Sequence, residues 1–347
     1  MKAEGVVVNG SVFGGGNQAD VKTNTVVNIS AGTVEGNVYG GGNLGDVGTI
    51  DKSDKTTYNY KWKNTDANGN TNDTATDHQN TAGNNNITGS NKNTGVCTVT
   101  ISGSAIVGTV GSSGTDYTKM EKGNVFGGGK GNDNALFYCE EGMVYATSIT
   151  ISGGTTVYGT VYGGGQIGRV EDDTKVTISG TSNNGIKGNV FGAGKGLETH
   201  GYSALVRGNS TVTVQGNAKI GRNVYGGGEI STVGRYWVKG VNNISNGVPV
   251  EGAPEAPTDL PDGMPYQQQS GGVCSVFIQG SAQVGPDGGA SDLAGHVFGA
   301  GKGVEPHFVS GTSQKMTGTG LVAFENDSET GKTAEQLYLE FLQTLAL

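Results

Sequence analysis

VVNISAGTVEGNVYGGGN, residues 26–43, contains the unit from which the whole chain is built. It runs from an alternating apolar strand that ends in Gly, through a short connector, to a second string, V-[F/Y]-G-[G/A]-G. That second string occurs seven times: VFGGG at 12–16, VYGGG at 38–42, VFGGG at 125–129, VYGGG at 161–165, VFGAG at 190–194, VYGGG at 224–228 and VFGAG at 297–301. Phe and Tyr alternate strictly along the series. Strand strings precede six of the copies, among them CTVTISG at 97–103, KVTISG at 175–180 and STVTVQG at 210–216. Where no large insertion intervenes, successive copies start 26, 36, 29 and 34 residues apart, a period that suits one coil of a β-solenoid.

In TVTIS at 98–102 the period of two puts Val99 and Ile101 on one face and Thr98, Thr100 and Ser102 on the other. One pair of short strands cannot bury its apolar face. Stacked copies can, because Val99 and Ile101 then join Val176, Ile178, Val212 and Val214 in continuous internal rows. The expected fold is therefore all-β: a single-stranded parallel β-helix (β-solenoid) of about seven coils, with inserted loops and a short C-terminal helix. Coils spaced ~4.8 Å apart make a core about 34 Å long. Glycine is expected at the corners, where the chain turns sharply and adjacent coils approach closely.

The solenoid is expected over 1–332, with insertions at 51–95 and 246–270. The first insertion carries eleven Asn together with Tyr58, Tyr60 and Trp62, a polar composition that cannot bury enough apolar area to fold alone. The second holds five of the seven prolines and reads as an extended or irregular surface loop. Met1 to Gly10 enters the first VFGGG without a complete preceding strand, so the solenoid begins in mid-unit. In TAEQLYLEFLQTLAL, residues 333–347, Leu337, Phe341 and Leu345 with Tyr338 and Leu342 fall at helical spacing behind a capping-box pair, Thr333 and Gln336. This helix is a candidate cap for the last coil. The other reading makes the chain a segment of a longer protein, with both termini as cuts.

Composition narrows the function classes. With 65 Gly among 347 residues but only seven Pro and no strict third-residue pattern, collagen is excluded. Charged residues are 15% of the chain against about 25% in ordinary domains. That scarcity fits stacked coils, in which like charges on successive rungs would repel. A net charge of −9 with scattered Lys and Arg leaves no basic stripe for nucleic acid. No run of apolar residues is long enough for membrane insertion, and the first ten residues are too weak for a secretion signal. Cys97, Cys139 and Cys274 are too few and too far apart for a disulfide framework or a metal pair.

With the repeat in hand, the chain resembles the glycine-rich β-solenoid repeats of large, adhesin-like surface proteins of gut Bacteroidales, in which strings of the GNVYGGGN type, here at 36–43, recur many times. At fold level alone it is similar to pectate-lyase-like β-helices and autotransporter-type adhesins. The resemblance covers nearly all of the chain outside the insertions. It implies an extracellular or cell-surface location and transfers no catalytic residue.

Several constellations remain. The corners followed by Lys130, Lys195 and Lys302 lack the leading Gly and the trailing Ser or Thr of a phosphate loop. No cofactor is expected. Calcium is the one considered, because GGNLGDVGT at 41–49 approaches a calcium nonapeptide, but Leu44 stands where Gly belongs, and Asp46 is read as a solvated turn residue. Asp172 and Asp173 are adjacent, hence expected on opposite faces, and are read as ordinary acids. GAGKGLETH at 192–200 and GAGKGVEPH at 299–307 repeat Lys195, Glu198, His200 and Lys302, Glu305, His307 at identical spacing. On one side of the rod these six would form a polar cluster for acid/base work or for a ligand carboxylate. A duplicated loop that merely retains its ancestor's residues is the simpler account. In the aromatic row Phe13, Tyr39, Phe126, Tyr162, Phe191, Tyr225, Phe298, Val and its aromatic neighbour should face opposite ways. Inward rings would stack within the core, the preferred reading; outward rings, Tyr39, Tyr162 and Tyr225 above all, would form a ladder for sugars.

The preferred function is a non-enzymatic extracellular rod for adhesion or surface display, binding a glycan or a cell-surface protein. The alternatives are a polysaccharide lyase or glycoside hydrolase acting through Lys195, Glu198 and His200 or their duplicates, and a passive stalk.

Overall fold

The computed structural model describes residues 5–53, 61–62, 64–65, 92–111, 115–132, 141–180, 185–197, 203–238, 244–245, 248–249, 254–258, 265–286, 294–303 and 336. Three long sheets, all parallel, run the length of the molecule. The long face has six strands, Thr25–Ile29, Val96–Ile101, Ala146–Ser152, Thr174–Ser179, Ser210–Gln215 and Cys274–Ile278. The connector face has seven two-residue strands from Val7–Val8 to Gln283–Val284, and the corner face seven from Val12–Phe13 to Val297–Phe298. Each strand pairs with its counterpart one coil away, in unbroken register. This is the expected parallel β-helix of seven coils. Among the described residues the first coil has connector and corner strands and no long-face strand. A fourth, narrow strip forms where single residues bridge in parallel, Val21 to Val47 and Val144 to Val170, Val206 and Val233 in turn.

The core follows from the strand period. Val99, Ile101, Ile149, Ile151, Val176, Ile178, Val212 and Val214 point inward and meet Val34, Val107 and Val157 of the connector face and Val38, Val125, Val161, Val190 and Val224 of the corner face. Hydroxyls inside the core are satisfied across the coil. Thr25 Oγ1 donates to the Gly40 carbonyl at 2.6 Å, Thr147 to Gly163 at 2.5 Å and Thr174 to Gly192 at 2.6 Å, and Ser210 does the same to Gly226. Register places Cys97 and Cys274 in this column. Corner glycine is required by packing: a Cβ on Gly163 would run into the carbonyl oxygen of Gly192 in the next coil.

A second ladder runs just before the corner face. The side chains of Ser11, Asn37, Asn124, Thr160, Asn189 and Asn223 each accept the backbone N–H of the residue one coil on, ending at His296. Distances lie between 2.8 and 3.2 Å.

Both insertions start as antiparallel ribbons: Ile50–Asp51 pairs with Lys61–Trp62, and Arg235–Val238 with Pro265–Ser270. The second ribbon therefore starts at Arg235, upstream of the proline-rich part, and its return strand starts at Pro265. The C-terminal helix lies outside the described residues, apart from Gln336, which is helical.

Candidate functional site

The aromatic row forms as a buried stack, in a column of its own beside the main core. Val38, Val125, Val161, Val190 and Val224 point into the main core, and their aromatic neighbours point away from it, yet Tyr39, Phe126, Tyr162, Phe191 and Tyr225 are buried too. The rings stack face to face from Phe13 to Phe298, with centroids 4.6–5.2 Å apart and planes within 11° of parallel. Neighbouring rings occupy both faces of Tyr39, Tyr162 and Tyr225, so these three do not form an open sugar ladder. Val and its aromatic neighbour do face opposite ways, and both are buried because the chain after each corner folds back beside the rings.

That returning segment supplies the hydroxyl partners. Asn17, Asn43, Lys130, Gln166, Lys195, Glu229 and Lys302 directly follow the seven corners, and backbone hydrogen bonds carry them coil to coil in one column. Tyr39 donates to Gln166 Oε1, and Tyr162 to Glu229 Oε2 at 2.6 Å. Each hydroxyl thus reaches the acceptor two coils on, which accounts for the Phe/Tyr alternation. Lys302 Nζ closes the arrangement on Glu229 Oε1 at 3.1 Å. Burial, then the Glu229 charge, raises the Tyr162 phenol well above its ordinary value; burial moves Tyr39 to about 12. Lys195 and Lys302 do lie on one side of the rod, in coils five and seven, with Glu229 between them. Glu198, His200, Glu305 and His307 lie outside the described residues.

A third arrangement was missed in the sequence. The residues just after the bridging valines are Lys22, Gly48, Tyr145, Glu171, Arg207 and Gly234. The two glycines, at φ +115° and +107°, stand on the coils from which the two insertions leave. Between them, Glu171 is held by three guanidinium groups: Arg235 at 2.8 Å, Arg169 at 3.1 Å and Arg207 at 3.3 Å. Arg169, Glu171 and Arg207 are 1%, 4% and 2% exposed. Asp172 is buried and hydrogen-bonded to Tyr145, and Trp62 of the first insertion packs edge-on against Tyr145 at 5.6 Å. Burial, reinforced by Asp173, pushes the Asp172 carboxyl up to about 7. Asp172 is therefore not an ordinary surface acid. It lies in a bend, where the strand rule of opposite faces does not apply.

Asp46 is also buried rather than solvated. Its Oδ1 accepts the Met143 N–H at 2.9 Å and its Oδ2 is ion-paired with Lys52. The lysine sits where the calcium reading wanted a cation. A cavity of about 280 Å³ opens here, at the foot of the first insertion, lined by Asp20, Lys22, Asp46, Ile50, Lys52 and Glu141 among others. Among the described residues no group of three His, Cys, Asp or Glu is placed for a metal ion, and no helix is long and apolar enough to cross a membrane. Cys97 is a buried free thiol and Cys274 a half-buried one; Cys139 lies outside the described residues.

Compared with protein-family models, with curated proteins and with solved structures, the chain matches none.

Proposed function

We propose that the protein is a non-enzymatic display rod of the cell surface, whose two insertions bind a glycan or a surface protein. The observation that carries this reading is their placement. Both leave from the same corner, on coils two and six, which at ~4.8 Å per coil sets their roots about 19 Å apart. Loops held at a fixed separation on a rigid scaffold are a common way to build a binding face. The scaffold's own charges are engaged elsewhere: Glu171 and Glu229 hold arginine and lysine partners. The cavity beside Lys22 and Lys52 lies at the foot of one insertion and would enlarge that face. The resemblance to adhesin-like surface repeats points the same way.

The test is binding of purified protein to immobilised mucin, to a glycan panel and to intact bacteria. A variant with residues 66–91 replaced by a short Gly-Ser link is run alongside. Binding should be measurable and fall at least tenfold in the variant. Absence of binding to every surface would leave a passive stalk, and cleavage of any polysaccharide would favour the enzyme instead.

A further inference from the structure

Asp46 is gripped from the coils on either side. Its carbonyl oxygen accepts the Val21 N–H at 2.9 Å, and its own N–H donates to Asp20 Oδ1 at 3.1 Å, both in coil one. From coil three the Met143 N–H donates to Asp46 Oδ1 at 2.9 Å. The carboxyl is thereby fixed in a residue only 5% exposed. Lys52, the residue after the ribbon strand Ile50–Asp51, brings its Nζ onto the other oxygen, Oδ2. Asp20 lies close enough for its charge to act on both Lys52 and Asp46. Burial raises the Asp46 carboxyl above its ordinary value against the pull of Lys52, which favours the neutral acid.

We propose that Lys52 Nζ and Asp46 Cγ close into an isopeptide bond, a covalent tie between the root of the first insertion and the rod. The ion pair holds every atom the step needs. One proton passes from the Lys52 ammonium to Asp46 Oδ2, leaving an amine and a carboxylic acid in contact. Nζ then attacks Cγ, the Nζ–Cγ bond forms, and Oδ1 takes the negative charge under the Met143 N–H, a donor already in place for an oxyanion. Asp20 takes a second proton from Nζ and returns it to Oδ2. The Cγ–Oδ2 bond breaks, and water leaves through the cavity of about 280 Å³ that Asp20, Asp46 and Lys52 line. Nothing is oxidised or reduced. Condensation of a free acid with a free amine is unfavourable in water, but groups held in contact react as if at about 10⁵–10⁸ M, which offsets that cost. The product keeps the Met143 hydrogen bond and replaces two charges by one neutral amide. It fastens the strand from which the first insertion rises, whatever that insertion binds.

The mass of the purified full chain, measured after denaturation, reads the bond directly. The unaltered protein should be one water lighter than its sequence. Trypsin should fail to cut after Lys52, leaving residues 23–55 as one peptide closed on itself. Lys52→Arg retains an ion pair with Asp46 and should restore the full mass. A water lost instead by cyclisation of an aspartate onto its own backbone would persist in that variant. Asp20→Asn should slow conversion about a hundredfold. The proposal is overturned if the folded, unaltered chain keeps its full mass, which leaves an ion pair only, or if Lys52→Arg is as light as the unaltered protein. Conversion of Asp20→Asn at the unaltered rate would overturn the route through Asp20.

Discussion

Asp172→Asn tests whether the buried strip between the insertions is as tightly enclosed as its geometry states. Asp172 is buried against Tyr145; Asp173 and Glu171 add negative charge, while the Tyr145 hydrogen bond and Arg235 oppose them. Burial is the largest cause of the rise, and it moves the carboxyl from 3.8 to about 7. The folded chain thus holds this proton more tightly than the unfolded chain does. The stability tied to the proton is fully present below about 3.8 and is lost as pH rises toward 7. A displacement of this size corresponds to about 4 kcal/mol as an upper bound, and relaxation of the site would bring the observed figure nearer 2. Asparagine keeps the shape and carries no charge at any pH. Guanidinium unfolding at pH 4, 6 and 8 should show the variant gaining on the unaltered protein by about 2–4 kcal/mol across that range, with most of the change above pH 5. A difference that does not vary with pH, or one that shrinks as pH rises, would refute the claim that Asp172 is enclosed with its proton.

Other substitutions probe the coil stack. Gly163→Ala places a Cβ on the Gly192 carbonyl and should cost at least about 1–3 kcal/mol, whereas Gly10→Ala, with nothing within 4 Å, should shift the unfolding midpoint negligibly. Ile151→Ala, in the sealed fourth coil, should cost about 2–5 kcal/mol by thermal or denaturant unfolding, and Ile278→Ala, on the open last coil, less than half of that. Cys97, fully buried and with its thiol pushed up to about 12, should resist a thiol reagent until the protein unfolds. Cys97→Thr should be neutral or stabilising, because Thr25, Thr147 and Thr174 fill the same column with a hydrogen-bonded hydroxyl.

The fold was legible because its two determinants are local. The alternation in TVTIS assigns Val99 and Ile101 to the core, and the corner glycines mark where coils touch. The fate of the rings was not legible, because it depends on what lies over them: nothing in VYGGG says that the chain returns at Gln166 and Glu229 to cover Tyr39 and Tyr162. The signal for that was present in the alternation itself, which demanded a polar partner for every second ring. The Glu171 cluster was missed for a related reason. Arg169, Glu171, Arg207 and Arg235 are scattered in the sequence, and only the stacking of Val170, Val206 and Val233 brings them within 3.3 Å of a shared carboxylate. Trp62 and Tyr145 could not be linked either, since the ribbon that carries Trp62 sits in a tract whose composition reads as loop.

The two-coil reach of Tyr39 to Gln166 and of Tyr162 to Glu229 imposes a parity on the molecule. Excising the coil between Tyr39 and Gln166 would bring Lys195 to the acceptor's place, and excising the one between Tyr162 and Glu229 would bring Lys302, whereas a change of two coils between a tyrosine and its acceptor keeps polar acceptors in step with the tyrosines. Recombination within the gene should therefore be tolerated in steps of two rungs, and rods of this type should differ in length by even numbers.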